Sequence, residues 1–159
     1  MTSLPPFQLL LDEHGRAVYR FLVATIGPGD ADDCYQETWL AAMRAYPQLR
    51  DASNLRGWLF TIAHRKAIDA IRARSRRATP VAEPADLPHA STEPPATGPD
   101  PELWTAVAQL ATKQRAAVAL RFIADCAYGE IGAAMEISED AARRNVHEGL
   151  KRLRQELIR

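Results

Sequence analysis

Arginine and lysine side chains are the groups in this sequence whose clustering predicts chemistry, and that chemistry is the binding of a polyanion. Six basic residues lie between Ala63 and Arg77, against one acid. Six more lie between Arg143 and Arg159, against two acids. Because guanidinium groups form forked hydrogen bonds with phosphate and guanine, two basic segments predict two contacts with nucleic acid.

Catalytic groups, by contrast, do not cluster in the sequence. No HExxH motif and no glycine-rich phosphate loop occurs, and such patterns are the usual signs of hydrolytic or nucleotide chemistry. A nuclease or phosphatase would have to use histidines that are scattered along the chain: His14, His64, His89 and His147. We therefore expect no enzymatic activity, no metal site and no cofactor.

The overall composition predicts a globular protein of the cytoplasm. The 159 residues carry no net charge, 47% are hydrophobic and 25% are charged, which excludes a disordered or collagen-like chain. No apolar run reaches the roughly 18 residues needed to cross a membrane, and the first residues lack a secretory signal. Cys34 and Cys126 form no CxxC pair, so they are expected to be small core residues in a reducing compartment.

A proline-rich segment divides the chain. Seven of the 11 prolines and five acids, with no Lys or Arg, lie from Ala78 to Glu102. Proline removes a backbone donor and disfavours helix at the preceding residue, so 78–101 is predicted to be an acidic linker between two domains, 4–77 and 102–159. Each is near or below about 75 residues, where a lone core is marginal, so a larger partner is expected to stabilise them.

Apolar residues recur at helical spacing in both domains, and neither sustains an alternating strand pattern. A first helix is predicted to end at Gly27, and a second to start near Asp30, whose carboxylate can cap it. The inner stripe of this second helix is expected to be Tyr35, Trp39, Ala42, Met43 and Tyr46. A third helix begins near Asn54, after a loop at 47–53.

The second domain ends in a short helix, a turn and a long basic helix. The short helix is predicted at Tyr128–Met135, and Ser138, followed by two acids, is a strong N-cap for the long one. Its apolar stripe keeps a period of 3.6 to the end: Ala142, Val146, Gly149/Leu150, Leu153 and Leu157. This order is typical of a helix-turn-helix, so the chain is predicted to be all-α, with two small helical domains joined by the acidic linker.

Three motifs in this order resemble the bacterial RNA polymerase sigma factors of the sigma-70 family, in the compact extracytoplasmic-function group. Residues 31–49, ADDCYQETWLAAMRAYPQL, are similar to the family's core-polymerase-binding helix. Residues 54–77, NLRGWLFTIAHRKAIDAIRARSRR, are similar to the helix that captures and melts the promoter −10 element. LATKQRAAVALRF and AYGEIGAAMEISEDAARRNVHEGLKRLRQEL resemble the helix-turn-helix that binds the −35 element.

The resemblance gives the second helix a role in binding polymerase. Helical spacing already places four residues on one of its faces: Asp33, Gln36, Glu37 and Leu40. Spacing alone leaves a solvated face as the alternative. The resemblance implies that this face docks on a coiled coil of the largest polymerase subunit.

The resemblance also implies that the third helix binds −10 DNA. The expected contacts are Asn54, Trp58, His64, Arg65, Lys66, Arg72, Arg76 and Arg77. Basic side chains would hold phosphates, while Asn54 and Trp58 would line a pocket for an extruded base. Core packing is the alternative for Trp58, because apolar residues flank it at helical spacing.

For the −35 element the expected contacts are Arg143, Arg144, Asn145, His147, Lys151 and Arg152. The first two can form forks with guanine and Asn145 can read adenine, whereas Lys151 and Arg152 suit phosphates. One departure from the family affects the turn. Met135-Glu136 stands where Leu-Gly is usual, so the turn lacks the residue that most easily adopts a positive φ.

The sequence thus predicts a sigma factor that binds core RNA polymerase, recognises −35 duplex DNA, and melts and captures the −10 element. Its expected partners are core RNA polymerase and promoter DNA, with no membrane insertion. The resemblance also allows an anti-sigma factor as a partner, for which the sequence contains no specific motif. The alternatives are a stand-alone helix-turn-helix regulator, the enzyme considered above, and a helical adaptor without a nucleic-acid partner.

Overall fold

The computed structural model describes residues 4–77 and 101–158, and all the regular elements in those two ranges are helices. The all-α prediction is therefore confirmed. The predicted linker lies outside the described residues except for its last position, Pro101, where a helix begins. The domain boundaries themselves stay a prediction.

The first lobe contains three helices and one short turn of 3-10 helix. α1 spans Phe7–Ile26, α2 spans Pro28–Ala45, the 3-10 turn spans Tyr46–Gln48, and α3 spans Leu55–Arg77. α1 and α2 are separated only by Gly27, whose φ of 88° lies in the left-handed region that glycine adopts without strain.

The start of α2 differs from the sequence prediction. The helix begins at Pro28, because the fixed φ of proline suits a first helical position and its missing N–H is not needed there. Asp30 is therefore inside the first turn and is not the cap. Its carboxylate instead pairs with Arg74 of α3, and the same guanidinium donates to the carbonyl of Ile26, 2.9 Å away.

Aromatic rings pack edge to face in the core of the first lobe. The rings of Phe21 and Phe60 lie 5.6 Å apart, and that of Phe7 lies 5.7 Å from Trp39. Met43 was predicted to belong to this core and does not, since it is 51% exposed. The Phe7 ring, which also contacts Tyr46, fills the space at that end of α2.

The second lobe contains α4 (Pro101–Ala108), α5 (Thr112–Phe122), α6 (Tyr128–Met135) and α7 (Glu139–Ile158). The predicted cap of α7 is present, because the N–H of Ala141 donates to Ser138 Oγ at 3.0 Å. The inner stripe of α7 is confirmed up to Leu153. Leu157 is 40% exposed, since α7 extends past the helices that cover its earlier turns.

Gly132 sets the close packing of the helix-turn-helix. A Cβ atom at this position would lie 2.8 Å from the carbonyl oxygen of Ile137, a backbone atom that cannot move aside easily. The N–H of Ile137 donates to the carbonyl of Gly132 at 2.9 Å. The turn therefore folds back directly on α6, which fixes the angle at which α7 leaves it.

Glu136 caps α6 in the left-handed conformation, with φ 60° and ψ 45°. This conformation costs an ordinary L-residue roughly 1–2 kcal/mol. Replacing Glu136 by glycine removes that cost, but the greater unfolded-state entropy of glycine cancels part of the gain. We expect Glu136→Gly to raise the free energy of unfolding by about 0.5–1 kcal/mol, measured by urea denaturation at pH 8. Asp125→Gly is the matched control at φ 59°, where we expect less gain because Asp tolerates this region better. A loss of stability in Glu136→Gly would contradict this explanation of the turn.

The two lobes pack against each other through a shared apolar cluster. Buried side chains of α1 and α3 are continuous with those of α5 and α6, as Leu22 and Phe60 are with Leu120 and Ile131. Arg115 of α5 crosses the boundary, because one Nη donates to the carbonyl of α1 Thr25 at 2.9 Å. The other Nη donates to the carbonyls of Ala108, the last residue of α4, and of Leu110 just after it. Each small lobe thus completes the core of the other.

Candidate nucleic-acid interface

The outward face of α2 is acidic with an apolar edge. Asp33, Gln36, Glu37 and Leu40 are all exposed, and Leu40, at 46%, has Met43 three residues further on. The structure therefore brings the four predicted residues together on one surface. Large exposed apolar side chains beside carboxylates favour contact with another protein rather than with DNA.

Buried residues on the opposite side of α2 hold this face in place. Thr38 Oγ1 donates to the carbonyl of Cys34 at 2.7 Å, and Cys34 Sγ lies 3.7 Å from the carbonyl oxygen of Lys66 in α3. Burial raises the pKa of Cys34 to about 11, helped by the neighbouring carboxylates. The thiol is therefore neutral, which suits packing and not nucleophilic chemistry.

The basic residues of α3 form two stripes. Arg72 and Arg76 lie 7 and 11 residues after Arg65, which is close to two and three full helical turns. The three side chains therefore share one side of the helix. Lys66 and Arg77 lie on a neighbouring side. All of these except the half-buried Lys66 are exposed, and a strand that follows α3 would meet cations at regular intervals.

The start of α3 carries the two predicted base-contacting residues. Asn54 caps the helix, since the N–H of Gly57 donates to its Oδ1 at 3.0 Å. Trp58 is half-buried, with its ring 6.0 Å from that of Tyr46, so it packs on the core while part of its surface stays accessible. Core packing, the alternative for Trp58, accounts for its buried part, and its role in a base pocket stays a prediction.

His64 is where the structure departs furthest from the role assigned to it. Its side chain is only 7% exposed, on a helix that packs against α6 of the second lobe. Burial lowers its pKa to about 4, aided by Arg65 and opposed by Glu136 of the helix-turn-helix. Nearby, the Asn54 amide donates to Glu130 Oε2 of α6. In this arrangement the second lobe covers part of the surface that was predicted to read −10 DNA.

The pKa of His64 makes stability depend on pH. Because the folded pKa is below the ordinary value of 6.5, the unfolded chain binds the extra proton more readily between pH 6.5 and 4. The stabilisation is complete above pH 6.5 and decreases as the pH falls towards 4, by about 3 kcal/mol. We expect His64→Gln to flatten this part of the stability curve in urea titrations at pH 7, 6, 5 and 4.5. The control is His147→Gln, which removes an exposed histidine; equal pH dependence in wild type and His64→Gln would contradict the assignment.

The exposed face of α7 presents three of the predicted −35 contacts. Arg144, His147 and Lys151 are spaced at i, i+3 and i+7 and are all exposed. Arg152 is exposed on a flank of that face. Asn145 is half-buried, and its Nδ2 donates to the carbonyl of Ala141 at 3.0 Å, so its amide is already engaged within the helix.

Arg143 is also engaged by its surroundings. Its guanidinium lies 3.2 Å from Glu139 Oε2 and 3.4 Å from Asp140 Oδ1, and 4.8 Å from the centre of the Tyr128 ring. A second guanidinium, that of Arg121, lies 4.3 Å from the centre of the same ring. The sequence offered no signal for this group, because α5, α6 and α7 each contribute one member.

Two classes of site find no support in the described ranges. Over residues 4–77 and 101–158, no three or more His, Cys, Asp and Glu side chains stand together as ligands for a metal ion. Among the helices of those same ranges, none combines the length and the apolar character that a membrane span requires.

Comparison with known families assigns both lobes. Residues 10–77 match the family described as Sigma-70 region 2, and residues 101–153 match Sigma-70, region 4. These ranges contain the acidic face of α2 together with all of α3, and the helix-turn-helix with the basic face of α7.

Individual relatives match over nearly the whole chain. The RNA polymerase sigma factor CarQ of Myxococcus xanthus is 31% identical over 161 residues, which is 94% of this chain and 87% of CarQ. The ECF RNA polymerase sigma factor SigX of Bacillus subtilis (strain 168) is 28% identical over 96% of this chain and 85% of its own. Among solved structures, the sigma factor RpoE of Bartonella quintana, in complex with the anti-sigma factor NepR, superposes with a TM-score of 0.79 at 21% identity, covering 95% of this chain and 96% of that one.

Proposed function

The chain belongs to the extracytoplasmic-function group of sigma-70 RNA polymerase sigma factors, and from that premise we propose which surface carries each step of promoter-specific initiation. A sigma factor confers promoter specificity on core RNA polymerase. The observation that carries the assignment is the position of an acidic, partly apolar face on one lobe and a basic recognition helix on the other. We further propose that the chain performs no chemical step of its own.

The face of α2 formed by Asp33, Gln36, Glu37 and Leu40 binds core polymerase. Its carboxylates supply charge complementarity for a basic partner surface, and Leu40 with Met43 supplies apolar contact. The adaptor and stand-alone regulator alternatives do not account for this face together with two Sigma-70 regions.

α3 binds the −10 element through its basic stripes and its capped start. Arg65, Arg72 and Arg76 hold successive phosphates, and the surface around Asn54 and Trp58 receives an extruded base. Exposed cations arranged in line with a partly accessible aromatic ring are the combination that single-stranded DNA requires.

The exposed face of α7 enters the major groove of the −35 element. Arg144 stands in the first turns of the recognition helix, where base edges are within reach. Lys151 and Arg152 lie about two turns later and bind phosphates, which position the helix without reading sequence. Asn145 donates one Nδ2 hydrogen to the carbonyl of Ala141, so its Oδ1 and its second Nδ2 hydrogen are the groups left to contact a base.

Promoter capture requires that the two lobes separate. The Asn54 amide is bonded to Glu130 of the second lobe and His64 is buried, so neither side chain is free to contact −10 DNA in the packed arrangement. Core polymerase holds the two lobes apart if the free energy of its contacts with the separated lobes exceeds the free energy that the lobes gain by packing together.

We propose an anti-sigma factor as the class of partner that binds the packed form. The Bartonella RpoE that superposes on 95% of this chain is bound to the anti-sigma factor NepR. We infer that a protein of this kind would act by favouring the packed lobes, in which Asn54 is bonded to Glu130 and His64 is buried.

Reconstituted transcription tests this function. The purified chain is added to bacterial core RNA polymerase with a library of promoter fragments, and transcript 5′ ends are sequenced. We expect starts at a fixed distance from a shared two-part element, only when both proteins are present. DNA binding without any polymerase-dependent start would favour the stand-alone regulator instead.

A further inference from the structure

We propose that Tyr128 is a positioning residue for promoter reading: its ring, held in place next to Arg121, fixes the Arg143 guanidinium at the edge of the recognition helix. The proposal rests on the proposed function of α7 as the −35 reader. It adds a residue of α6 to the determinants of sequence preference, although Tyr128 itself makes no contact with a base.

The ring of Tyr128 is held by two neighbouring groups, the capped start of α6 and the Arg121 guanidinium. It begins α6, whose start is held by Glu130, because the N–H of Ala127 donates to Glu130 Oε1 at 2.7 Å. Arg121 lies over the ring at 4.3 Å, and one Nη of Arg121 donates to the carbonyl of Cys126 at 3.1 Å. The ring is therefore a rigid platform assembled from α5 and α6.

Arg143 rests on this platform from α7. Its guanidinium carbon lies 4.8 Å from the ring centre, within the range of a cation–π contact. Its ion pairs with Glu139 and Asp140 are 3.2 and 3.4 Å long and exposed, so they are weak and readily exchanged for a DNA contact. The ring contact needs no such exchange and can persist in the complex.

A restrained guanidinium is a better reader of base sequence than a free one. A forked contact to guanine requires the guanidinium plane to align with the base edge. A side chain that is already held in one plane loses less conformational entropy on binding. Removing the ring should therefore weaken discrimination at the base pair that Arg143 contacts and leave the other base pairs unchanged.

The test measures base preference with the complete holoenzyme. Core polymerase carrying wild type, Arg143→Ala, Tyr128→Phe or Tyr128→Leu selects from promoters with a randomised −35 element, and bound DNA is sequenced. Arg143→Ala defines the base pair that Arg143 reads. We expect Tyr128→Leu to lower preference at that same base pair by roughly 3- to 10-fold, and Tyr128→Phe, which keeps the ring, to retain it.

A double variant separates positioning from stability. In the Arg143→Ala background, Tyr128→Leu should have no further effect on preference, whereas a purely structural role would still reduce binding of all sequences alike. If Tyr128→Leu does not fold, Tyr128→Met, which keeps apolar volume without a ring, replaces it. The proposal is overturned if Arg143→Ala changes no base preference, or if the Tyr128 effect persists without Arg143. The proposed function itself fails only if the wild-type holoenzyme selects no sequence.

Discussion

Reversing the charge of Asp33 and Glu37 together is expected to abolish association with core polymerase. Both carboxylates are exposed on one face of α2, so Lys at both positions should leave the fold intact and turn attraction to a basic partner into repulsion. The expected loss is about 3 kcal/mol or more, which is roughly 100-fold in affinity. Co-purification with core enzyme and titration by fluorescence anisotropy measure it.

Asp12→Lys with Glu13→Lys is the matched control, because it makes the same change of charge at two exposed positions of α1. This control should bind core polymerase with nearly wild-type affinity. Direct −35 DNA binding by Asp33→Lys/Glu37→Lys should also be retained, since the second lobe is untouched. If the α2 double variant still binds polymerase as tightly as the control does, the polymerase contact lies elsewhere.

Locking the two lobes together should eliminate transcription altogether. Asn54 and Glu130 touch across the lobe boundary, so Asn54→Cys/Glu130→Cys can be joined by a short bis-maleimide. The linker keeps the second lobe over α3. We therefore expect promoter opening, measured by the permanganate reactivity of −10 thymines, to fall in proportion to the linked fraction of the protein. Native Cys34 and Cys126 should not react, because both are buried and burial raises the pKa of each to about 11.

The first control is the Asn54→Cys/Glu130→Cys variant without the reagent. It lacks the same two side chains, including the Asn54 cap, but its lobes are not linked. Asp12→Cys/Arg16→Cys, linked within α1, is the second, and it should remain active because it joins no two lobes. Opening of the −10 element by the linked Asn54→Cys/Glu130→Cys chain at the rate of the unlinked one would show that the packed arrangement does not block capture.

Local patterns predicted the helices of this protein well, for physical reasons that act over a few residues. The Ser138 cap and the polar face at Asp33 and Glu37 follow from spacing and hydrogen-bonding capacity along one helix. The error at Asp30 also shows the limit of such patterns. An acid near the start of a helix can cap the helix or pair with a distant cation. Asp30 pairs with Arg74, which is 44 residues away in sequence.

The sequence could not show which of its basic and polar residues are free to bind DNA. Arg74 and His64 have the same residue types as the side chains that remain exposed. Arg74 pairs with Asp30 of α2, and His64 is buried on a helix that packs against the second lobe. Arg143 remains exposed, but its orientation depends on the Tyr128 ring of another helix. Only tertiary contacts distinguish an occupied guanidinium from an available one.

By itself the sequence determined an all-α chain with two helical regions, an outward acidic face, a helix-turn-helix and a resemblance to sigma factors, because periodicity, capping and motif order are local properties. The tertiary structure decided how the lobes meet. Each lobe alone is close to the size at which a core is marginal, and the pairing of α3 with α6 and the bonds of Arg115 to Thr25 and the end of α4 let the two share one apolar cluster. Such pairing depends on the shapes of surfaces far apart in the chain. It is the basis of our proposal that the lobes separate during promoter capture.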